Sequence, residues 1–430
     1  LTVTKKMEDV LRQVDERQDE LIELVQTLIK FETPAPPARN TNEAQAFVAD
    51  FLKDQGFSID RWDVYPGDPN VVGFLNGTDS KNYKSLIING HMDVAEVSED
   101  ENWEKDPFTP IVRDGAIIGR GAADMKGGMA GALFAIQLLR ENGVELPGDL
   151  TLQSVIGEEV GEAGTLQACK RNGGAEADFA VVVDTSDLHI QGQGGVITGW
   201  ITIKSDKTFH DAMRRKMIHA GGKVVGASAI EKMMKVMEGL QELERHWAVT
   251  KSYPGYPAGT NTINPAVIEG GRHAAFIADE CRLWITVHFY PNETHEQVAK
   301  EVEAHILNVA KGDIWLKDNP PTFTWGGTSM IEERGEIFPS LEVDPDHEGV
   351  QLLAGVHERV SGERATIDVS PTVTDGGWLG DAGIPTVIYG PGDLNNAHAV
   401  NEQVSIEQLV YYTKTLLQFI CEWSNTRKKT

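Results

Sequence analysis

Leu86-Ile87-Ile88-Asn89-Gly90-His91-Met92-Asp93 is an apolar run that ends in an imidazole and a carboxylate. Ser85-Leu86-Ile87-Ile88 reads as a short buried strand, and the polar pair lies just past its carboxyl end. The arrangement recurs downstream. Leu150 to Ile156 reads as a strand followed at once by Gly157-Glu158-Glu159, and Phe179-Ala180-Val181-Val182-Val183 ends at Asp184. Glu43 to Gln55, Met129 to Asn142 and Thr165 to Arg171 read as helices between and around these strands. Such alternation predicts an α/β fold with a mostly parallel sheet covered on both faces. In open sheets of this kind ligands bind beyond the carboxyl ends of the strands.

The pattern changes near Gly192. Val196 to Lys204 and Asp279 to Phe289 alternate with period two, as half-exposed strands do. Val224 to Trp247 and Glu293 to Val309 read as amphipathic helices, the first with a Met-rich face that suits core or interface packing. The order is βαββαβ-like and predicts an inserted, ferredoxin-like α+β domain over 192–315. Strand-and-helix alternation resumes after Pro320 and includes the buried run Thr386-Val387-Ile388-Tyr389. The first domain is therefore expected to be discontinuous, 1–191 with 316–430.

Composition narrows the function. The chain has 430 residues and a formal net charge of −26. Strong acidity repels phosphate backbones and anionic lipid, which argues against nucleic acid and membrane surfaces as partners. Cys169, Cys281 and Cys421 are too few and too scattered for a disulfide framework or a thiolate zinc site. No apolar run approaches the ~20 residues needed to span a bilayer. The charged, periodic segment up to Lys30 reads as an amphipathic helix and not a signal peptide. A soluble, cytoplasmic protein is the expectation.

Imidazoles and carboxylates without thiolates suit zinc, cobalt or manganese. His91, Asp93, Glu158, Glu159 and Asp184 all follow strands. Asp124 sits in the glycine-rich stretch Gly119-Arg120-Gly121-Ala122-Ala123-Asp124-Met125-Lys126-Gly127-Gly128 before a helix, and His398 follows Gly390-Pro391-Gly392. Taken singly, each has a plainer explanation. His-x-Asp can be a turn, Glu158-Glu159 a solvated helix start, and Asp184 an N-cap. The glycine-rich stretch lacks the Lys-Ser/Thr pair of a phosphate loop, and no dinucleotide-binding glycine motif follows an N-terminal strand. The joint pattern of strand ends, donor types and order favours a metal site.

Together these motifs, with Ala397-His398, resemble the co-catalytic metallopeptidase family that includes N-acetylornithine deacetylase, succinyl-diaminopimelate desuccinylase, aminoacylase and carboxypeptidase G. The resemblance runs along nearly the whole chain. It implies a catalytic domain with two divalent metal ions, zinc foremost, and an inserted lid domain that forms a homodimer. By motif, His91, Asp124 and Asp184 would hold one ion, and Asp124, Glu159 and His398 the other. Asp93 would fix the tautomer of His91 from behind. Glu158 would be the general base for a water between the metals. The family also places a lid histidine in the neighbouring subunit's site. His219, in Lys216-Met217-Ile218-His219 ahead of Gly226-Ala227-Ser228-Ala229-Ile230, is the candidate, although Arg215 replaces a family glycine. His210 is the rival.

Two departures bear on substrate. Where peptidase-like members carry Asn-Val-Ile-Pro-Asp and then Asp-Ile-Arg, this chain has Ala275-Phe276-Ile277-Ala278-Asp279 and Thr286-Val287-His288. Loss of a guanidinium that clamps a carboxylate is not conservative. The resemblance thus implies an amidohydrolase that removes a formyl or acetyl group from a small-molecule amine, and the missing arginine fits the branch of formylaminopyrimidine deformylases. The segment Asp63 to Asn70 is a weak candidate for shaping the leaving-group pocket. A desuccinylase or an aminoacylase- or carboxypeptidase-type hydrolase is the alternative within the family, and a silent metal-dependent binding protein is the alternative outside catalysis.

Overall fold

The computed structural model describes residues 3–36, 39–214, 226–327, 329–331 and 335–429. The chain opens with helices α1 (Val3–Glu16), α2 (Gln18–Lys30) and α3 (Asn42–Asp54) and a hairpin of β1 (Ser58–Tyr65) and β2 (Asp68–Leu75). The single N-terminal helix expected from periodicity is therefore two, divided at Arg17, whose guanidinium bonds Glu20 and Glu141. Next come β3 (Leu86–His91), β4 (Ile111–Arg113), β5 (Ala116–Ile118), α4 (Gly127–Glu141), β6 (Leu150–Val155), α5 (Gly164–Lys170), β7 (Phe179–Val182) and β8 (Ile190–Gln193). The strands β9 (Gly195–Lys204), β10 (Ile263–Gly270), β11 (Glu280–Phe289), β12 (Thr322–Trp325) and β13 (Ile337–Phe338) follow, with α6 (Ala229–Thr250) before β10 and α7 (His295–Lys311) before β12. The last elements are α8 (Glu348–Ser361), β14 (Ile367–Ser370), α9 (Gly376–Asp381), β15 (Thr386–Ile388), β16 (Gln403–Ser405) and α10 (Ile406–Ser424).

Two units result, Leu1–Gln193 with Leu341–Thr430, and Gly194–Ser340. The first is built on an eight-stranded sheet of order β1-β2-β6-β3-β7-β15-β8-β14. Its centre, β6-β3-β7-β15, is parallel. The flank is not. Only Pro66 and Gly67 join β1 to β2, and so short a connection demands an antiparallel pair. The sheet is thus mixed, with the expected parallel part at its middle. Helices α1, α2, α4 and α10 share one core against one face of the sheet, in which Leu133, Leu416 and Phe419 are fully buried. Each such side chain contributes roughly 1.5–3 kcal/mol relative to exposure, so packing more than propensity holds these helices. A smaller core of Ile87, Ala180, Val182, Leu379 and Ile388 lies elsewhere in the unit.

Register decides where the chemistry goes. In the parallel ladders His91 pairs with Val155, and Asn89 with Val182. Strands β6, β3 and β7 therefore end at one level, which brings Glu158, His91 and Asp184 to one edge. The glycine-rich stretch completes the approach. A Cβ at Gly128 would stand 2.0 Å from the Val183 carbonyl oxygen, so only glycine lets α4 start against the end of β7.

The second unit has the βαββαβ order, with a sheet of order β10-β11-β9-β12. Every pair in it is antiparallel. Met233, Val236 and Leu240 of α6 and Val298, Val302 and Ile306 of α7 are buried in one core with Ile201, Leu283 and Ile285 of the sheet. Both helices begin at side-chain caps, Ser228 for α6 and a capping box of Thr294 with Gln297 for α7. The break between units falls past Ser340 and not at 315, because β12 and β13 both pair with β9.

Candidate metal centre

The turn after β6 begins at Gly157, whose φ of 79° is a left-handed conformation that favours glycine. Glu158–Val160 then forms one short 3-10 turn. The backbone N–H groups here go to Asp93. Gly157 and Glu158 donate to Oδ1 at 2.9 and 3.3 Å, and Glu159 donates to Oδ2 at 2.9 Å. Asp93 thereby fixes the adjacent Glu158 and Glu159. The far nitrogen of His91 is served mainly by the Asp93 backbone carbonyl, 2.9 Å from Nδ1, while the carboxylate Oδ1 lies 3.4 Å away. Nδ1–H donates to that carbonyl, so Nε2 is left to face the cluster.

Asp124 stands between two imidazoles. Its Oδ1 is 3.2 Å from His91 Nε2 and its Oδ2 is 3.1 Å from His398 Nε2. His91 Nε2 also lies 3.4 Å from Glu158 Oε2 and 3.6 Å from Asp184 Oδ2. His398 Nε2 lies 2.8 Å from Glu159 Oε2. Among the described residues, three sets of donor atoms are close enough to share a cation: His91 with Asp124 and Asp184, Asp124 with Glu159 and His398, and His91 with Glu158 and Glu159. His91 Nε2, Asp124 Oδ1 and Glu159 Oε1 are buried with no hydrogen-bond partner. Buried polar atoms without partners are costly, and a divalent ion is the partner this donor set fits.

The electrostatics agree. Burial pushes the Glu158 carboxyl well above its ordinary range, against the pull of His91. Glu159 is pushed up to about 8, first by burial and then by the Asp124 charge. Burial raises Asp184 as well. His398 rises to about 11 because Asp124 and Glu159 accept its hydrogen bonds. In spite of its burial, Asp124 is held low by His398 and His91. Divalent ions bound at such a set would offset this buried negative charge.

The structure thus brings His91, Asp93, Asp124, Glu158, Glu159, Asp184 and His398 into one cluster. His219 lies outside the described residues. His210 is exposed and caps the turn Asp211–Met213, its Nδ1 accepting the Ala212 N–H. Sequence reasoning missed Asp375, a fully buried carboxyl that burial pushes up to about 7 and that is bonded to Thr165. It also missed Glu402, which accepts the Asp124 N–H. Only the position of Glu402, four residues past His398, could have signalled it.

Residues 87–422 match the model of peptidase family M20/M25/M40, and the chain belongs to that family. Two relatives are similar along their full length. The N-formyl-4-amino-5-aminomethyl-2-methylpyrimidine deformylase of Bacillus subtilis is 69% identical, covering 97% of this chain and 98% of that one. The protein of the same name from Halalkalibacterium halodurans is 60% identical, covering 98% of each. Among solved structures, an M20 family metallo-carboxypeptidase from Sulfolobus solfataricus superposes with a TM-score of 0.68 at 17% identity, covering 95% of this chain and all of that one. That likeness establishes the fold.

The Asp93 network makes one prediction. Asp93→Asn replaces an acceptor oxygen with a donor facing backbone N–H groups. In metal-free protein we expect a loss of about 1–3 kcal/mol in urea unfolding. An unchanged midpoint would contradict the assigned bonds.

Proposed function

We propose that the protein is a two-metal amidohydrolase that removes the formyl group from an N-formylated aminomethylpyrimidine, releasing formate and the free amine. The observation that carries this reading is the likeness to the Bacillus subtilis deformylase along nearly the whole chain. Two divalent ions, bound in the sets sharing Asp124, would lower the pKa of water and polarise the amide carbonyl. Zinc suits His and carboxylate donors, with cobalt and manganese as alternatives. His91 and Asp184 would complete one site, and Glu159 and His398 the other.

The chain's own residues supply the proton chemistry. Glu158 sits against His91, and burial raises its carboxyl well above the ordinary range, which suits it to accept a proton. As general base it takes the proton of the attacking water, and as general acid it returns it to the leaving amine. Asp93 holds the turn that aims Glu158 and Glu159. His219 is our choice over His210 as the lid residue that donates to the oxyanion, since His210 already serves as a cap. Ala275 and His288 replace an amide and a guanidinium, which favours a neutral heteroaromatic amine over an amino acid with a free carboxylate. The three cysteines are free and buried, which suits the cytoplasm.

Glu158→Ala tests the proton role together with the substrate. Wild type should prefer the formylated aminomethylpyrimidine over N-acetylornithine in kcat/KM. The variant should lose about 10²–10⁴-fold in kcat while keeping its metal content. A preference for N-acetylornithine, or a variant with normal turnover, would contradict the reading. A wild type that binds metal yet cleaves no acyl-amide would favour a binding protein.

We further read the second unit as a lid that dimerises. Strand β10 is an edge of its sheet, with Val267 and Ile268 exposed. Ile230 and Met234 are exposed one turn apart on α6, and Ile230 lies beside Gly270 at the end of β10. An exposed apolar edge strand flanked by an apolar helix face is a surface built to be covered. By light scattering, wild type should have twice the 47.1 kDa chain mass. Met234→Asp combined with Ile268→Asp should give a monomer. A monomeric wild type sinks the idea.

A further inference from the structure

Glu402 is a buried carboxylate with an unusual load. Its Oε1 accepts the backbone N–H groups of Gly121, Ala123 and Asp124 at 3.1, 3.0 and 2.9 Å. Its Oε2 accepts Arg120 Nη1 at 3.0 Å. Arg120 is fully buried too. The same Nη1 donates to the Ala399 carbonyl at 3.0 Å, directly after His398. Its Nη2 donates to Glu96 O and Glu101 Oε2, both at 3.1 Å, and its guanidinium lies 5.1 Å from the Trp103 ring centroid.

These bonds cross between two loops. Glu402 belongs to the segment that carries His398 and grips the backbone around Asp124. Arg120 belongs to the segment that carries Asp124 and grips the backbone beside His398. The pairing of β16 with β5 sets the register, and Gly119 N–H donates to Glu402 O at 2.8 Å. One ionised oxygen can take three N–H donors because its charge strengthens each bond. A neutral amide in its place would turn a donor toward either the N–H groups or Arg120.

We propose that Glu402 and Arg120 form a reciprocal clamp that sets the spacing of Asp124 and His398. Both are positioning residues for the cation site made by Asp124, Glu159 and His398. The inference rests on the two-metal reading above. Glu402 acts on Asp124 through its N–H, and Arg120 acts on His398 through the next carbonyl. Neither touches substrate. Outer groups that orient metal ligands commonly govern affinity by about 10–100-fold.

The test is a titration of metal-free protein with cobalt(II), followed by calorimetry and visible absorption. Wild type should take two equivalents. We assign the second equivalent to the set of Asp124, Glu159 and His398, because His398 is exposed while His91 and Asp184 are buried. Glu402→Gln should bind it about 10–100-fold more weakly and change its absorption band. The first equivalent should change less, because His398 belongs to the second set alone. Arg120→Lys keeps a charge but offers one nitrogen where the guanidinium uses two, so it cannot keep the Ala399 and Glu402 bonds together with those to Glu96 and Glu101, and should behave in the same direction. It carries the test if Glu402→Gln fails to fold. Phe419→Leu, a change in the core beside Phe179 and Trp423, should lower stability and leave both equivalents intact. Normal second-equivalent affinity and spectrum in either clamp variant would overturn the proposal. A wild type that binds fewer than two equivalents would overturn the two-metal reading, and the clamp with it.

Discussion

Burial of like charge is the constraint on which this structure turns. Asp124, Glu158, Glu159 and Asp184 gather at one edge of the sheet, and among the described residues His91 and His398 stand between them. Isolated carboxylates placed there would repel one another and lose hydration worth several kcal/mol each. Asp124 eases the conflict by standing between the two imidazoles, one oxygen toward each. The raised carboxyls of Glu158, Glu159 and Asp184 mark what remains uncompensated. Under the proposed reading, two divalent ions supply the missing positive charge.

Much of the fold serves to hold that cluster in place. Three adjacent parallel strands end at one level and deliver His91, Glu158 and Asp184 together. Gly128 lets α4 close on β7 and brings in the Asp124 loop. Asp93 neutralises three N–H groups of the Glu158 turn, and Glu402 three of the Asp124 loop. The two carboxylates do the same work for two different loops. Each spends its charge on backbone, which fixes the direction of the side chains that face the cluster.

The parts legible in the sequence are those whose signal is local. Strands β3 and β7 carry continuous apolar runs because helices cover the sheet, so they stand out, whereas β6 mixes Thr151, Gln153 and Ser154 among its apolar residues. The βαββαβ order of the second unit is legible because period two and period 3.6 alternate cleanly there. The motifs around Asp124, Glu158 and His398 each keep donor and neighbours within a few residues. What escaped notice is long-range or short in extent. Strands β4, β5 and β16 are three residues each, too brief for any period. Arg120 and Glu402 are 282 positions apart, and neither one announces the other. The spacing of His91 and Asp93 does not tell that the Asp93 carbonyl meets the ring while its carboxylate takes the N–H groups of another loop. The unit boundary is hidden in the sequence for a similar reason, since β12 joins its sheet by pairing with the distant β9.

The central claim is that Asp124 lies between two cations. Anomalous diffraction from zinc-loaded crystals, recorded on both sides of the zinc edge, tests it most directly. The account predicts two zinc peaks, one against His91 and Asp184 and one against Glu159 and His398, with a separate Asp124 oxygen on each. A single peak, or two peaks with Asp124 bound to neither, would contradict it.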